Sequence, residues 1–208
     1  MHIDPEEKVQ SDISLTGVLS KVNPDAHVVL RDGSTVRVRV MRQSDEPGLV
    51  KLFQSLSEEA RCQRFFCPIK DAALEAEAHR EANLKDTFSL LAVHGVPETV
   101  VGHAFYAALN QTRAEVAFTI ADEFRGRGLA TILLGQLADV AAANGIQVFE
   151  AEVMGSNQAM LNVFRESGFP INRLCCLPRE LGLFCKIPKC PVASICSCRG
   201  RGRTRVRP

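Results

Sequence analysis

Residues Ala114 to Asn144 read AEVAFTIADEFRGRGLATILLGQLADVAAAN, and three patterns follow one another along them. From Glu115 to Ile120 polar and apolar side chains alternate. Val116, Phe118 and Ile120 share one face, and Glu115, Ala117 and Thr119 the other, as a strand requires. Arg125-Gly126-Arg127-Gly128 then makes a polar, glycine-rich turn. Beyond it Leu133, Leu137, Val140 and Ala141 recur at helical spacing, and Asn144-Gly145 is a helix stop.

A turn of this kind before a helix suits an anion. The first helical turn carries unpaired backbone N–H groups at the positive end of the helix dipole. Glycines let the backbone approach closely, since no Cβ intervenes and positive φ costs little. Two arginines add charge. Strand, turn and helix together predict a pyrophosphate cradle. It is not a P-loop, because no Gly-Lys-Ser/Thr follows the turn. Nor is it a dinucleotide fingerprint, which needs G-x-G-x-x-G and an acidic residue about 20 positions on.

Arg125-Gly126-Arg127-Gly128-Leu129-Ala130 resembles the R/Q-x-x-G-x-G/A signature of the GNAT N-acetyltransferases, whose loop binds the pyrophosphate of acetyl-CoA. Asn157, Met160, Phe164, Gly168 and Phe169 are spaced as in the last helix of that family, whose asparagine lies against the pantetheine. The run LFQSLSEEARCQRFF, from Leu52 to Phe66, is similar to the Pat-type protein lysine acetyltransferases. Their version is Ser-x-Glu-Ser/Ala-Arg-Tyr-x-Arg-Phe-Phe, with Cys62 standing here at the tyrosine. Val28 to Val36, VVLRDGSTV, fits the same subgroup.

The resemblance implies an α/β (α+β) fold over residues 23–172, a mixed, mostly antiparallel sheet flanked by helices; residues 1–22, polar and weakly patterned, read as a flexible N-terminal segment. It implies acetyl-CoA as co-substrate, no metal, and a primary amine as acceptor, with a protein lysine favoured. A small-molecule amine, or a non-catalytic acyl-CoA-binding regulatory module, are the alternatives. On this reading Arg125, Gly126, Arg127, Gly128, Ala130 and Thr131 hold the pyrophosphate and Asn157 the pantetheine. Backbone around Phe118, Thr119 and Ile120 holds the thioester, and Glu115, matching a glutamate assigned as base in Pat-type enzymes, takes the amine's proton. Glu152 and then Glu123 are the next candidates for base. Asp122 and Glu123 are more simply read as partners of Arg125 or Arg127. Where many of these enzymes carry a tyrosine to protonate the thiolate, Phe164 stands, and the one tyrosine of the chain is Tyr106.

The remaining segments fit around this centre. Val28 to Val40 reads as a hairpin with an Asp32-Gly33 turn, its second strand burying Val36, Val38 and Val40 and wetting Arg37 and Arg39. Ser44-Asp45-Glu46-Pro47 starts one helix and Ser57-Glu58-Glu59 a second, the pair that borders the acceptor in GNAT proteins. Asp71 to Lys85 reads as a surface helix, with His79 solvated. Phe88–Val93 and Val100–Ala108 read as strands, with His103 packed mid-strand, and Val148–Met154 as a further strand.

Composition bounds the rest. The chain has 208 residues, 46% of them hydrophobic, with no apolar run long enough to span a bilayer and an acidic N-terminus, which together predict a cytoplasmic protein. Five arginines between Arg199 and Pro208 hide a body of 20 basic against 24 acidic residues, so nucleic acid has a claim only on the tail. Six of the eight cysteines crowd the end, from Cys175 to Cys198, at spacings that match no zinc module. Residues 173–208 are rich in Cys, Arg, Pro and Gly and poor in strand pattern. The abrupt change near Leu174 predicts a shifted reading frame and a sheet without its closing hairpin.

Overall fold

The computed structural model describes residues 25–67, 70–83, 86–175 and 180–186. Its sheet turns on strand β5, Arg113–Ile120. From Ala114 to Ile120 this strand pairs antiparallel with β4, Thr99–Ala108. On its other side it runs parallel to β6, Val148–Met154, but only from Arg113↔Val148 to Glu115↔Glu150. Beyond Glu115 the two strands pair no further, which leaves a wedge along the second half of β5.

Every other neighbouring pair is antiparallel. β1 (Ala26–Val29) and β2 (Thr35–Val40) form the hairpin around Gly33, β2 pairs with β3 (Thr87–His94), and β3 with β4. The order is β1-β2-β3-β4-β5-β6-β8-β7. The last two strands, β7 (Ile171–Cys175) and β8 (Glu180–Lys186), correct the expectation of a missing closing hairpin: β8 pairs with β6 from Val148↔Lys186 to Met154↔Glu180, and β7 pairs with β8. Backbone hydrogen bonding decides this more than composition does. The open edge of β6 offers its N–H and C=O groups, and neither Ile171–Cys175 nor Glu180–Lys186 contains a proline that would remove a ladder bond. Residues 1–22, Lys85, Cys176, Cys190, Cys196, Cys198 and the arginine-rich end lie outside the described residues.

The helices pack in two groups on the sheet. α4 (Leu129–Ala143) and α5 (Gln158–Glu166) cover one face, where Leu133, Leu134, Leu137, Leu161 and Phe164 meet Val116, Phe149 and Tyr106 in one core cluster. The stripe that marked α4 in sequence is the stripe it buries. It ends at Asn144 and Gly145 (φ +85°), with Ile146 N–H returned to Ala141 O at 2.9 Å. α1 (Glu46–Ser55), α2 (Glu58–Phe65) and α3 (Asp71–Ala82) form the other group, joined by a second cluster of Leu49, Leu52, Phe53, Leu56, Ala60, Leu74 and Ala78. No helix among the described residues is long and apolar enough to cross a membrane.

Two readings of exposure change in three dimensions. Arg39 is buried, not wet: α1 begins beside it, and Asp45 receives its guanidinium at 2.7 and 2.8 Å. That contact lowers the Asp45 carboxyl below its usual range. The helix at Asp71–Ala82 is not a surface helix throughout, because Leu74, Ala78 and Glu81 lie on one buried side.

Candidate active site

The wedge between β5 and β6 opens into a cleft of about 340 Å³. One end is the loop that leads into α4. A single turn of 3₁₀ helix, Asp122–Phe124, brings the chain round, and Gly126 (φ +72°) and Gly128 (φ +86°) take the left-handed conformation that glycine accepts at little cost. Gly128 is the N-cap of α4, so the first amides of that helix face the cleft. Arg125, Gly126, Gly128, Ala130 and Thr131 all line it.

Arg127 does not. Its guanidinium pairs with Asp32 at 2.7 Å and stacks 5.0 Å over Phe124, fixing the β1–β2 turn against the loop. The turn carries Arg31 instead to the cleft wall. Arg125 keeps its place there but sits 3.2 Å from Asp122, the pairing the sequence suggested. Nor does the space above Gly128 face open solvent: a Cβ there would lie 3.2 Å from Arg31 Nε, whereas one on Gly126 would meet nothing within 4 Å.

Along β5 the backbone alternates its bonding direction. Ala121 N–H donates to Val101 O of β4 at 2.9 Å, so odd-numbered amides of this strand face β4. Phe118 and Ile120 therefore turn theirs to the side that β6 has left. Their side chains lie toward α4 and α5, with Phe118 edge-on to Phe164 at 6.3 Å between ring centroids. Asn157 lines the same wall and caps α5 with its side-chain oxygen, accepting from Met160 N–H at 3.1 Å. A bond from Asn157 into the cleft thus falls to its amide nitrogen.

Glu115 stands at the point where β5 and β6 part, exposed and lining the cleft. Glu152 of β6 lines it as well, and Glu123 does not. Tyr106 is buried under α4, where it accepts a hydrogen bond from Asn144 Nδ2 at the C-terminal end of that helix at 2.7 Å, and it does not line the cleft, so the single tyrosine is not at the site. Phe164 occupies the wall where a tyrosine would stand. From the helix pair, Leu56, Ala60, Gln63 and Arg64 form the opposite wall. A second cavity of about 380 Å³ continues past Gln63, lined by Glu58, Glu59, Cys62, Met154 and Ser156.

Behind that wall lies a polar cluster that sequence reasoning missed. Arg64 Nε donates to Thr119 Oγ1 at 3.1 Å, and its Nη2 donates to Glu81 Oε1. Glu81 Oε2 lies 3.3 Å from His103 Nδ1. Glu81 and His103 are buried and Arg64 nearly so. Burial pushes the Glu81 carboxyl up, but Arg64 and His103 outweigh it, and the net direction is down. The charge of Arg64 is thus balanced from α3, and its guanidinium is held at the cleft wall. No group of three or more His, Cys, Asp or Glu residues that could hold a metal occurs among the described residues.

The comparisons with known proteins agree with this architecture. A model of the Acetyltransferase (GNAT) family matches residues 51–169, which span β5, the glycine loop, α4 and α5. The chain belongs to the GNAT acetyltransferase family. The GNAT domain of S. lividans PAT is 31% identical, with a TM-score of 0.68, and the match covers 78% of this chain and 96% of that one. Acetyltransferase PA5475 of Pseudomonas aeruginosa is 31% identical over 144 residues, 67% of this chain and 77% of the relative. Acetyltransferase Pat of Mycolicibacterium smegmatis is 29% identical over 143 residues, 68% of this chain and 43% of the relative, so this GNAT chain spans less than half the length of that protein.

Proposed function

We propose that the chain transfers an acetyl group from acetyl-CoA to a primary amine, and that the amine is a protein lysine. One observation carries the reading: a single cleft has an anion cradle at one end and an exposed carboxylate, Glu115, where the strands part. The residues present fit the coenzyme. Gly126 leaves open space for an anion, α4 aims its first amides at that space, and the amides of Phe118 and Ile120 offer donors to a pantetheine arm or thioester carbonyl.

A lysine amine attacks only when neutral, and with an ordinary pKa of about 10.4 it is almost wholly charged at pH 7. Glu115 takes that proton, directly or through one water. The nitrogen then bonds to the thioester carbon, whose oxygen becomes an oxyanion held by the β5 amides. As the oxyanion collapses the C–S bond breaks, the nitrogen's second proton passes through water to the departing thiolate, and the thiol leaves along a wall formed by Phe164, with no side-chain acid from tyrosine. The incoming cation meets Glu115 and Glu152 in the cleft and Glu58 and Glu59 in the cavity beyond it. A lysine within a basic protein segment matches that sequence of charges and the resemblance to the Pat subgroup.

The test is calorimetric titration with acetyl-CoA, followed by thiol release measured on lysine-containing proteins, free lysine and polyamines. Binding with release on a protein lysine supports the reading. Release only on small amines replaces the acceptor class, binding without release on any acceptor points to an acyl-CoA-binding module, and no binding overturns the reading.

A further inference from the structure

The phosphates of a coenzyme A thioester carry several negative charges, and the arginines of the glycine loop meet them only in part. Arg127 is committed to Asp32 and Phe124 and stands outside the cleft. Arg125 has Asp122 3.2 Å away. A third cation comes from a distant part of the chain. Arg31, at the start of the β1–β2 turn, crosses directly above Gly128: a Cβ on that glycine would lie 3.2 Å from Arg31 Nε, 3.4 Å from its Cγ and 3.5 Å from its Cδ.

Two ties hold the base of Arg31 to the loop. Its own N–H donates to Arg127 O at 3.0 Å, and Arg127 pairs with the adjacent Asp32. The far end is held differently. Arg31 Nη2 reaches Glu166 Oε2 on α5 at 3.1 Å, with side chains 64% and 54% exposed. Arg31, Gly128 and Glu166 all line the cleft, so this ion pair bridges its mouth from the turn to the end of α5.

We propose that Arg31 is a ligand for the coenzyme's phosphates, parked on Glu166 until the coenzyme arrives, and that it exchanges carboxylate for phosphate on binding. The inference rests on the acetyl-CoA reading above. An exposed ion pair contributes little and is readily given up. A phosphate beside the N-terminus of α4 offers Arg31 charge-assisted hydrogen bonds in a better field, since the helix dipole favours the anion that the guanidinium also binds. Glu166 has the opposite effect. Its carboxylate occupies Arg31 and repels an incoming phosphate, so the two members of one ion pair act on affinity with opposite sign. A merely structural salt bridge would make both substitutions neutral or both unfavourable.

The experiment is calorimetry of the full chain with acetyl-CoA and with its 3′-dephospho analogue, on the parent, Arg31→Gln and Glu166→Gln, with melting curves to verify folding. Arg31→Gln is expected to weaken acetyl-CoA by about ten-fold or more, the effect of losing a charge-assisted bond. Glu166→Gln is expected to tighten it by about two- to five-fold. If the Arg31→Gln loss persists with the dephospho analogue, the ligand is the pyrophosphate; if it disappears, the ligand is the 3′-phosphate. An Arg31→Gln affinity within two-fold of the parent, or weaker binding by a folded Glu166→Gln, overturns the proposal while leaving the acetyl-CoA reading intact. A parent chain that does not bind acetyl-CoA overturns both.

Discussion

Replacing Glu81 with glutamine should destabilise the chain far more than its place in an alanine- and glutamate-rich helix suggests. The Glu81 side chain is 0% exposed, His103 beside it 1%, and Arg64 14%. Arg64 also lies 5.1 Å from the centroid of Phe65 and 5.8 Å from that of Phe105, in surroundings that solvate a cation poorly. Glutamine keeps the shape and one acceptor but removes the only carboxylate on this guanidinium among the described contacts. Breaking a buried ion pair from one side costs about 3–5 kcal/mol. For a chain of 150–250 residues each kcal/mol moves the melting temperature by about 2–4 °C, so the expected fall is about 6–20 °C at pH 7. The pH dependence fixes the cause. Glu81 has its carboxyl lowered in the folded state, so its contribution is complete above the ordinary glutamate value of about 4.3 and is lost as the pH falls through its folded value. Melting curves of parent and Glu81→Gln should therefore converge in acid. A drop of less than 2 °C at pH 7, or a gap that stays constant down to the acid limit of folding, refutes the argument. Arg64→Met combined with Glu81→Leu should restore much of the stability while leaving the cleft wall altered, which separates the ion pair's structural cost from its effect on the site.

Glu115→Gln should bind acetyl-CoA as the parent does but lose about two to four orders of magnitude in rate, and its remaining rate should climb with pH as more amine becomes neutral; an unchanged rate at pH 7 removes Glu115 from the mechanism. Gly126→Ala and Gly128→Ala both force a side chain into left-handed backbone, at about 1–2 kcal/mol each, but only the second meets Arg31. If Arg31 contributes to binding, the loss of acetyl-CoA affinity caused by Gly128→Ala shrinks in an Arg31→Gln background while that caused by Gly126→Ala does not, and calorimetry giving equal Gly128→Ala losses in both backgrounds rejects that account. Tyr106→Phe should cost about 1 kcal/mol in melting experiments, through the lost bond from Asn144, and leave thiol release unchanged; a large fall in turnover would return the tyrosine to the site.

The features legible in sequence were those written in consecutive residues. Strand β5, the glycine loop and α4 each announce themselves by a local period or a local need for positive φ, and the cleft forms where they meet. The polar cluster of Arg64, Glu81, His103 and Thr119 draws one residue from each of four elements, and no local period predicts that. One signal was available. Leu74, Ala78 and Glu81 fall at i, i+4 and i+7, which places Glu81 on the stripe that two apolar residues already mark as buried. The charge of the segment hid that stripe. Arg39 was misjudged for a related reason: alternation separates the two faces of a strand but cannot say that a helix will cover the second one.

Gly128 meets a structural need that the local sequence does not announce. A glycine at the N-cap with φ +86° is consistent with close approach of an anion, and the sequence supports that reading alone. In three dimensions the volume that its missing side chain leaves is taken by Arg31, whose turn is fastened to the loop by Arg127 and Asp32. Gly126, with open space above it, is the residue whose bareness is left for a ligand. The two glycines of one motif thus differ in surroundings: one admits the cation from the β1–β2 turn, and the other has the open space that the proposal gives to a phosphate. That proposal would make the glycine loop and the turn segment VVLRDGSTV one anion site and not two separate signatures. Substitutions in the turn should then alter coenzyme affinity as strongly as substitutions in the loop itself.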